Sequence, residues 1–176
     1  MIKLPILGIV AAGSNAGKTT IITQLIPLLA AKQIRVSVIK HAHHKFDIDH
    51  VGKDSYNIRE AGAVQTLIAS DRRWALMTEM QGTSHHNGEA DLTAMIEQLN
   101  NAYADLVLVE GFKQANIPKI EVHRPGLGLP LLVENDDNII AVACDKPIVC
   151  TKPQLPLNDP QAICTFILKW MQKQHD

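Results

Sequence analysis

The most restrictive feature of this sequence is a glycine-rich segment near its N-terminus. Residues 12–19 read AGSNAGKT, which fits the phosphate-loop pattern Ala/Gly-x-x-x-x-Gly-Lys-Ser/Thr, with Ala12 at the relaxed first position. The segment follows an apolar run at 6–11 and precedes residues 18–32, whose apolar side chains recur at helical spacing. Because this pattern requires a buried strand that leads into a helix, the segment predicts a strand, a loop and a helix in that order.

The rest of the chain alternates short apolar runs with helical patterns. Such alternation is typical of an α/β domain whose mostly parallel sheet is flanked by helices, and with the phosphate loop it predicts the fold of a P-loop NTPase. The chain has 176 residues, the length of one domain, so we expect residues 1–176 to form a single nucleotide-binding domain. Further strands are expected at 35–39, 64–69, 73–77, 106–109, 119–123 and 139–143, and further helices at 54–61, 91–102 and 160–173.

Composition excludes several classes of protein. Lys and Arg number 17 against 18 Asp and Glu, a net charge of −1, whereas proteins that coat nucleic acid usually have a basic excess. Hydrophobic residues make up 46% and charged residues 20%, as in globular and not disordered chains. No stretch approaches the roughly 20 apolar residues of a membrane helix. The three cysteines, Cys144, Cys150 and Cys164, lack paired spacing and suit a reducing compartment, so we expect a cytoplasmic protein.

The residue types of the glycine-rich segment fit a phosphate site. Gly13 and Gly17 let the backbone curl so that its N–H groups can point at phosphate oxygens. Lys18 would place a positive charge against the β- and γ-phosphates, and Thr19 would offer a hydroxyl ligand to Mg²⁺. The expected nucleotide-binding residues are Gly13, Ser14, Asn15, Ala16, Gly17, Lys18, Thr19 and Thr20.

An acidic residue follows a second continuous apolar run, LVLV at 106–109. A phosphate loop needs an acidic group near Mg²⁺, and open α/β sheets build their sites at the carboxyl ends of their strands. Glu110 stands at such an end, so we expect it to hold the metal or a metal-bound water, or to orient the attacking water. Lys18 and Glu110 are therefore the expected catalytic residues, and Lys113 is a weaker candidate for a phosphate or partner contact.

The segment KHAHHKFDID at 40–49 follows the second predicted strand. One interpretation is a switch-like loop over the phosphates, with Lys40 and His41 as donors and Asp47 or Asp49 near Mg²⁺. A polar surface loop is the second interpretation. A dedicated transition-metal site is the third and is disfavoured, because no cysteine is nearby and structural zinc needs four separated ligands. Two further histidines, at 85 and 86, stand in a Gly/Ser/Asn loop that we expect to be exposed.

The residues that would recognise a base are not defined by the sequence. The Asn-Lys-x-Asp signature of many GTPases is absent. Asp145, after the strand at 139–143, and Lys152, in the Thr-Lys-Pro segment, are candidates to replace it. Both residue types are also common in ordinary turns, which is the alternative interpretation for each.

Several segments are similar to those of one known family. The most specific are KHAHHKFDID at 40–49 and LVLVEGFK at 106–113, which follow AGSNAGKTT in the expected order. REAGA at 59–63, WALMTE at 74–79 and IIAVACD at 139–145 extend the similarity, as does the terminal KWMQKQ. Together they resemble the MobB family, the GTP-binding proteins of molybdopterin guanine dinucleotide biosynthesis.

The resemblance implies a protein that binds GTP with Mg²⁺, hydrolyses it weakly and forms a homodimer. It also implies an adaptor that works beside MobA, the guanylyltransferase that attaches GMP to molybdopterin. Carried over by position, residues 13–20 form the phosphate loop, Thr19 supplies the Mg²⁺ hydroxyl and Glu110 is the acidic partner. Residues 41–49 would then lie near the nucleotide or the dimer groove.

Two other classes of function stay open at this point. In a small-molecule kinase, Arg72 and Arg73 would neutralise transition-state charge, although a salt-bridging turn is their simpler role. A metal-binding or nucleic-acid-binding module would centre on the histidine segment. The near-neutral charge makes the nucleic-acid version the weakest, and no nucleic-acid or membrane partner is expected.

Overall fold

The architecture is taken from a computed structural model, which describes residues 4–42, 46–80 and 90–174. Within these ranges no helix has both the length and the apolar character needed to cross a membrane. The elements, in chain order, are β1 (Ile6–Val10), α1 (Lys18–Ala30), β2 (Val36–Lys40), α2 (Asp54–Glu60), β3 (Gln65–Ala69), β4 (Trp74–Thr78), α3 (Leu92–Glu97), β5 (Leu106–Glu110), β6 (Lys119–His123), β7 (Ile139–Cys144), β8 (Gln154–Pro156) and α4 (Pro160–Gln172).

Six strands form one sheet in the order β2-β5-β1-β6-β7-β8, and every neighbouring pair is parallel. The predicted α/β fold with a mostly parallel sheet is therefore confirmed. The interior strand β5 is buried at all of its positions, as is β6. Burial on both faces explains why LVLV reads as a continuous apolar run instead of alternating with polar residues.

Two long helices cover this sheet. Leu25 and Leu29 of α1 and Ile163 and Ile167 of α4 are almost fully buried in one hydrophobic cluster with the sheet residues. The helix α4 begins where Asp159 accepts hydrogen bonds from the backbone N–H groups of the first turn, a typical N-cap. The packing keeps β1, which leads into the glycine-rich loop, at the centre of a rigid core.

By contact, the chain divides into two compact units. The first comprises Met1–His41 and Leu92–Asp176 and contains the six-stranded sheet, and the second comprises Ala42–Asp91. The second unit holds α2 and a two-stranded antiparallel ribbon, β3–β4. The single-domain organisation stays a prediction.

One sequence-based expectation needs correction, and one strand was not predicted. The helix expected at 91–102 is shorter, because α3 covers only Leu92–Glu97 and a separate 3-10 turn covers Asn101–Tyr103. The Asn100 side chain accepts a hydrogen bond from the backbone N–H of Ala102 and so starts a new turn. The short strand β8 was not predicted, since Pro153 precedes it and Pro156 is its last residue, and proline is a poor strand residue.

Candidate functional site

Three adjacent strands end at the same edge of the parallel sheet, and the predicted site residues stand at those ends. Lys40 of β2 pairs in register with Glu110 of β5, and Glu110 pairs with Ile9 of β1. The glycine-rich loop follows β1 directly. Parallel register therefore brings together residues that are far apart in the sequence, as expected for the carboxyl ends of an open α/β sheet.

The glycine-rich loop has the backbone curl that its sequence predicts. Gly17 has φ of 105° and Asn15 has φ of 61°, both in the left-handed region. Asparagine tolerates that region better than most residues, and glycine enters it without a steric penalty. The Gly17 carbonyl accepts the Ile21 N–H, which fixes the start of α1. Of the other loop residues, Ala16 is buried, whereas Ser14, Asn15 and Thr20 are exposed.

A hydroxyl, a carboxylate and an ammonium group meet beside this loop. The Thr19 hydroxyl donates to Oε1 of Glu110 at 2.7 Å. The Nζ atom of Lys40 lies 3.2 Å from both the Thr19 hydroxyl and Oε1 of Glu110. Glu110 is buried, and both contacts are made by its Oε1 atom. The two oxygens thus already share a cation, which is the chemistry expected of a Mg²⁺ site.

Lysine side chains cluster around the loop. Lys18 donates to the Gly13 carbonyl at 3.0 Å, and Lys113 donates to the Ala12 carbonyl at 3.3 Å. Burial lowers the pKa of Lys18, the negative charge of Glu110 opposes that shift, and the positive charges of Lys113 and Lys40 add to it. Positive groups that repel one another at a helix N-terminus form a site where an anion is favoured.

His41 lies beside the turn that follows β5. Its backbone N–H donates to the Glu110 carbonyl at 2.9 Å, and its ring stacks on Phe112 with centroids 4.5 Å apart. Gly111, with φ of 89°, approaches His41 so closely that a Cβ there would lie 3.0 Å from the His41 Cβ. The predicted role of His41 in nucleotide binding stays a prediction, and its position next to Glu110 is compatible with that role.

Arg124 is a component of the site that the sequence analysis missed. Its Nε donates to the Ala16 carbonyl of the loop at 3.1 Å, and its Nη1 donates to Asp145 at 2.9 Å. The signal that could have found it is its position, since Arg124 directly follows β6, which lies next to β1 in the sheet. A guanidinium can satisfy a carbonyl and a carboxylate at once because its donors form a rigid fork.

The histidine segment is only partly within the described residues. Asp47 belongs to the second unit, where its Oδ1 accepts the Asp49 N–H and its Oδ2 accepts from Arg59 at 2.7 Å. Its predicted role as a metal ligand stays a prediction. His43, His44 and Lys45 lie outside the described residues, as do His85 and His86. Within residues 4–42, 46–80 and 90–174, no group of three or more His, Cys, Asp or Glu side chains could hold a metal ion.

The fold and the conformation of the loop define the class of protein, because a parallel α/β sheet with a curled glycine-rich loop after a central strand is the architecture of P-loop NTPases. The family model of MobB, molybdopterin guanine dinucleotide synthesis protein B, matches residues 6–145. The chain therefore belongs to the MobB family.

Known proteins agree with this assignment. The molybdopterin-guanine dinucleotide biosynthesis adapter protein of Escherichia coli is 44% identical over 98% of this chain and 96% of its own length. The protein of the same name from Haemophilus influenzae is 43% identical, over 98% of this chain and 93% of its own. A crystal structure of molybdopterin-guanine biosynthesis protein B superposes with a TM-score of 0.72 at 32% identity, covering 95% of this chain and 99% of that one.

Proposed function

We propose that this protein binds a guanine nucleotide with Mg²⁺ and acts as an adaptor in molybdopterin guanine dinucleotide biosynthesis. The observation that carries the binding proposal is the cluster formed by Lys18, Thr19, Lys40 and Glu110 beside the curled loop. The loop offers backbone N–H groups and the N-terminus of a helix, and the lysines add charge. A triphosphate would relieve the repulsion among Lys18, Lys40 and Lys113, so phosphate binding gains electrostatic energy from the arrangement.

The residues beside the loop fit Mg²⁺. Hydroxyl and carboxylate oxygens are the ligands that this ion prefers, and it usually binds through few protein groups together with substrate phosphates. Thr19 and Glu110 would supply those two groups. Lys40 would then leave the oxygens that it now contacts and become available to a phosphate oxygen. The bound ion would neutralise charge on the β- and γ-phosphates.

Hydrolysis by this arrangement should be slow. Fast phosphoryl transfer to water needs a residue that orients the water and usually an arginine that stabilises the transition state. With Mg²⁺ bound, the Glu110 carboxylate would be engaged by the metal ion, and the Arg124 guanidinium is engaged with Ala16 and Asp145. We therefore propose a weak GTPase at most. In it, Lys18 would neutralise charge on the phosphates and Glu110 would position the metal ion.

The adaptor role rests on the relatives, which carry the words adapter protein in their names. The partner that fits this role is a MobA-type guanylyltransferase with its molybdopterin substrate. No observation favours the kinase alternative. Arg72 and Arg73 lie in the β3–β4 turn, where their backbone N–H groups donate to the Ser70 hydroxyl, a simple turn arrangement.

The ribbon β3–β4 supports a homodimer. In its register Leu67 lies opposite Leu76 and Ala69 lies opposite Trp74, so these side chains share one face. Leu67 and Trp74 are each 59% exposed and Leu76 is 41% exposed. Contiguous exposed apolar faces of this kind often mark sites of protein–protein interaction. We propose that this face contacts the same face of a second copy.

Isothermal titration calorimetry at fixed Mg²⁺ tests the nucleotide proposal most simply. We expect GTP to bind more tightly than ATP, and we expect omission of Mg²⁺ to weaken GTP binding. Slow release of phosphate, followed with the same preparation, would support weak hydrolysis. Absence of binding by any nucleoside triphosphate would contradict the proposal, whereas an acceptor that emerges phosphorylated at the expense of ATP would favour the kinase.

A further inference from the structure

A cavity of about 300 Å³ opens beside the ends of β7 and β8. Its lining includes Asp145 and Lys146, which follow β7, together with Pro147, Gln154 and Pro156. Because β1, β6, β7 and β8 are parallel neighbours, this cavity lies at the same edge of the sheet as the glycine-rich loop. Its volume is at the lower end of the range of about 300–1,000 Å³ for small-molecule sites, which suits a compact ligand.

The Asp145 carboxylate links this cavity to the loop. Its Oδ2 accepts from Nη1 of Arg124, whose Nε donates to the Ala16 carbonyl. The Arg124 guanidinium therefore bridges Asp145 and the backbone of the loop. The other oxygen, Oδ1, is shielded from solvent and has no hydrogen-bond partner within the described part of the chain. A buried carboxylate oxygen without a donor is costly, so a rotation of the Asp145 side chain that brings Oδ1 to the cavity and to a ligand N–H group would be favoured.

A second polar group of the cavity, the Gln154 amide, is already satisfied. The Gln154 amide donates to the Ile148 carbonyl at 2.7 Å and accepts the Ile148 N–H at 3.0 Å. This pair of bonds holds the 145–153 loop in one shape and leaves Gln154 little capacity for a ligand. Pro147, Pro156 and the methylene stem of Lys146 supply apolar surface. The cavity thus combines apolar walls with one carboxylate acceptor, a combination that suits a ring with N–H donors.

We infer that this cavity receives the base of the bound nucleotide and that Asp145 selects guanine. This inference rests on the proposed nucleotide function and deepens it. Guanine presents N1–H and a 2-amino group side by side, two donors that suit a carboxylate. Adenine presents an acceptor at N1 and no amino group at C2, and xanthine replaces the amino group with a carbonyl oxygen that the carboxylate repels. Arg124 acts as a positioning residue, since it holds Asp145 at a set place relative to the loop.

A wild-type competition assay gives the first test and needs no variant. We expect GTP to bind most tightly and ITP, which lacks the 2-amino group, to bind more weakly. ATP and XTP should bind about 10- to 100-fold more weakly than GTP, the range for hydrogen bonds to a charged group. If XTP or ATP binds as tightly as GTP, the assignment of Asp145 is wrong, although a nucleotide site at the loop remains. If no triphosphate binds, the proposed function itself fails.

The variant Asp145→Asn provides the second test. An asparagine amide can donate to the xanthine C2 carbonyl, so we expect XTP affinity to rise while GTP affinity falls about 10- to 100-fold. A gain of XTP binding cannot come from misfolding. Asp137→Asn, which removes an exposed acid of the same unit, is the matched control and should leave both affinities unchanged. An unaltered ratio of GTP to XTP affinity in Asp145→Asn would overturn the inference.

Discussion

The two sheets of this protein bury their strands to very different degrees. The interior strand β5 of the six-stranded sheet is buried at all five positions, whereas β3 in the ribbon is buried only at Thr66. Both strands are rich in apolar residues, so hydrophobicity alone does not indicate which of the two strands is buried in the folded chain. The difference teaches that the chain itself buries the strands of the six-stranded sheet, whereas it leaves apolar side chains of the ribbon exposed, and this exposed face is where we propose the dimer contact.

The largest expected effect tests the site on the six-stranded sheet. Lys18→Ala should weaken Mg·GTP binding at least about 100-fold, because it removes the charge that a triphosphate needs at the start of α1. The stability of the nucleotide-free protein should change by less than about 1 kcal/mol, because burial and neighbouring lysines already disfavour this ammonium, as its lowered pKa indicates. Calorimetric titration and thermal unfolding measure the two quantities.

The chain offers a matched control for that variant. Lys53 also follows a glycine, Gly52, but it precedes α2 in the second unit and no strand leads into it. Lys53→Ala should therefore leave Mg·GTP binding unchanged. Equal losses in the two variants would mean that the lysines act through general charge, and the distinction between the two regions would fail.

The next effect concerns the ribbon. Leu76→Lys places a charge on the exposed apolar face and should convert a dimer into monomers, since charged residues are poorly tolerated at the core of an interface. Sedimentation velocity measures the change. Tyr103→Lys, which adds the same charge at another exposed apolar position, is the control and should remain dimeric. A Leu76→Lys protein that sediments as the wild type does would show that this face is not the interface.

A smaller effect is expected at the acidic partner. Glu110→Gln keeps the shape of the side chain but removes its charge, so Mg²⁺ should enhance GTP binding about 10-fold less than in the wild type. Titrations with and without Mg²⁺ give this ratio. Glu134→Gln neutralises an exposed acid of the same unit and should leave it unchanged. An undiminished Mg²⁺ dependence in Glu110→Gln would remove Glu110 from the metal site.

The curl of the loop can be tested through stability. Gly17 has φ of 105°, so Gly17→Ala should lower the free energy of unfolding by about 1–3 kcal/mol through backbone strain. Gly126→Ala is the comparison, because Gly126 lacks a positive φ and a Cβ there would meet nothing within 4 Å. Urea denaturation measures both. Identical stabilities of the two variants would argue that the loop is not held in the left-handed conformation.

The smallest effect lies at the N-terminal ends of β2 and β5, which are the ends away from the glycine-rich loop. A hydrogen bond from the Arg35 side chain lowers the pKa of Asp105 from 3.8 to about 2. Because the pKa is lower in the folded state, the ionised carboxylate stabilises the fold above pH 3.8, and this contribution disappears as the pH falls through about 2. Asp105→Asn should cost less than about 1 kcal/mol at pH 7, since the pair is partly exposed. Urea denaturation at several pH values should show the difference between variant and wild type vanish near pH 2.

Much of the scaffold could be predicted from sequence because its signals are local. The apolar run at 106–109 and the glycine-rich segment identified β5 and the loop. The rule that parallel strands end at one edge of the sheet then placed Glu110 near Lys18. Contacts between distant segments carried no local signal. The position of Arg124 directly after β6 places it at this edge of the sheet, but no local signal indicates that its guanidinium contacts Ala16 and Asp145.

The sequence predicted the two strands of the ribbon, but it did not predict that their apolar side chains are exposed. Alternation of apolar and polar residues predicts which face of a strand is buried, and β3 and β4 carry apolar residues on both faces. The ion pair of Asp47 with Arg59 was equally invisible, because its partners are 12 residues apart with no regular element joining them. Such pairings depend on tertiary structure and not on local propensity.

A crystal structure with Mg²⁺ and a non-hydrolysable GTP analogue tests the nucleotide site most directly. We expect the β- and γ-phosphates within hydrogen-bond distance of the backbone N–H groups of residues 13–19, with the Lys18 ammonium moved from the Gly13 carbonyl onto a phosphate oxygen. An analogue bound at another place, or a Lys18 side chain still on Gly13 beside an ordered triphosphate, would contradict the account.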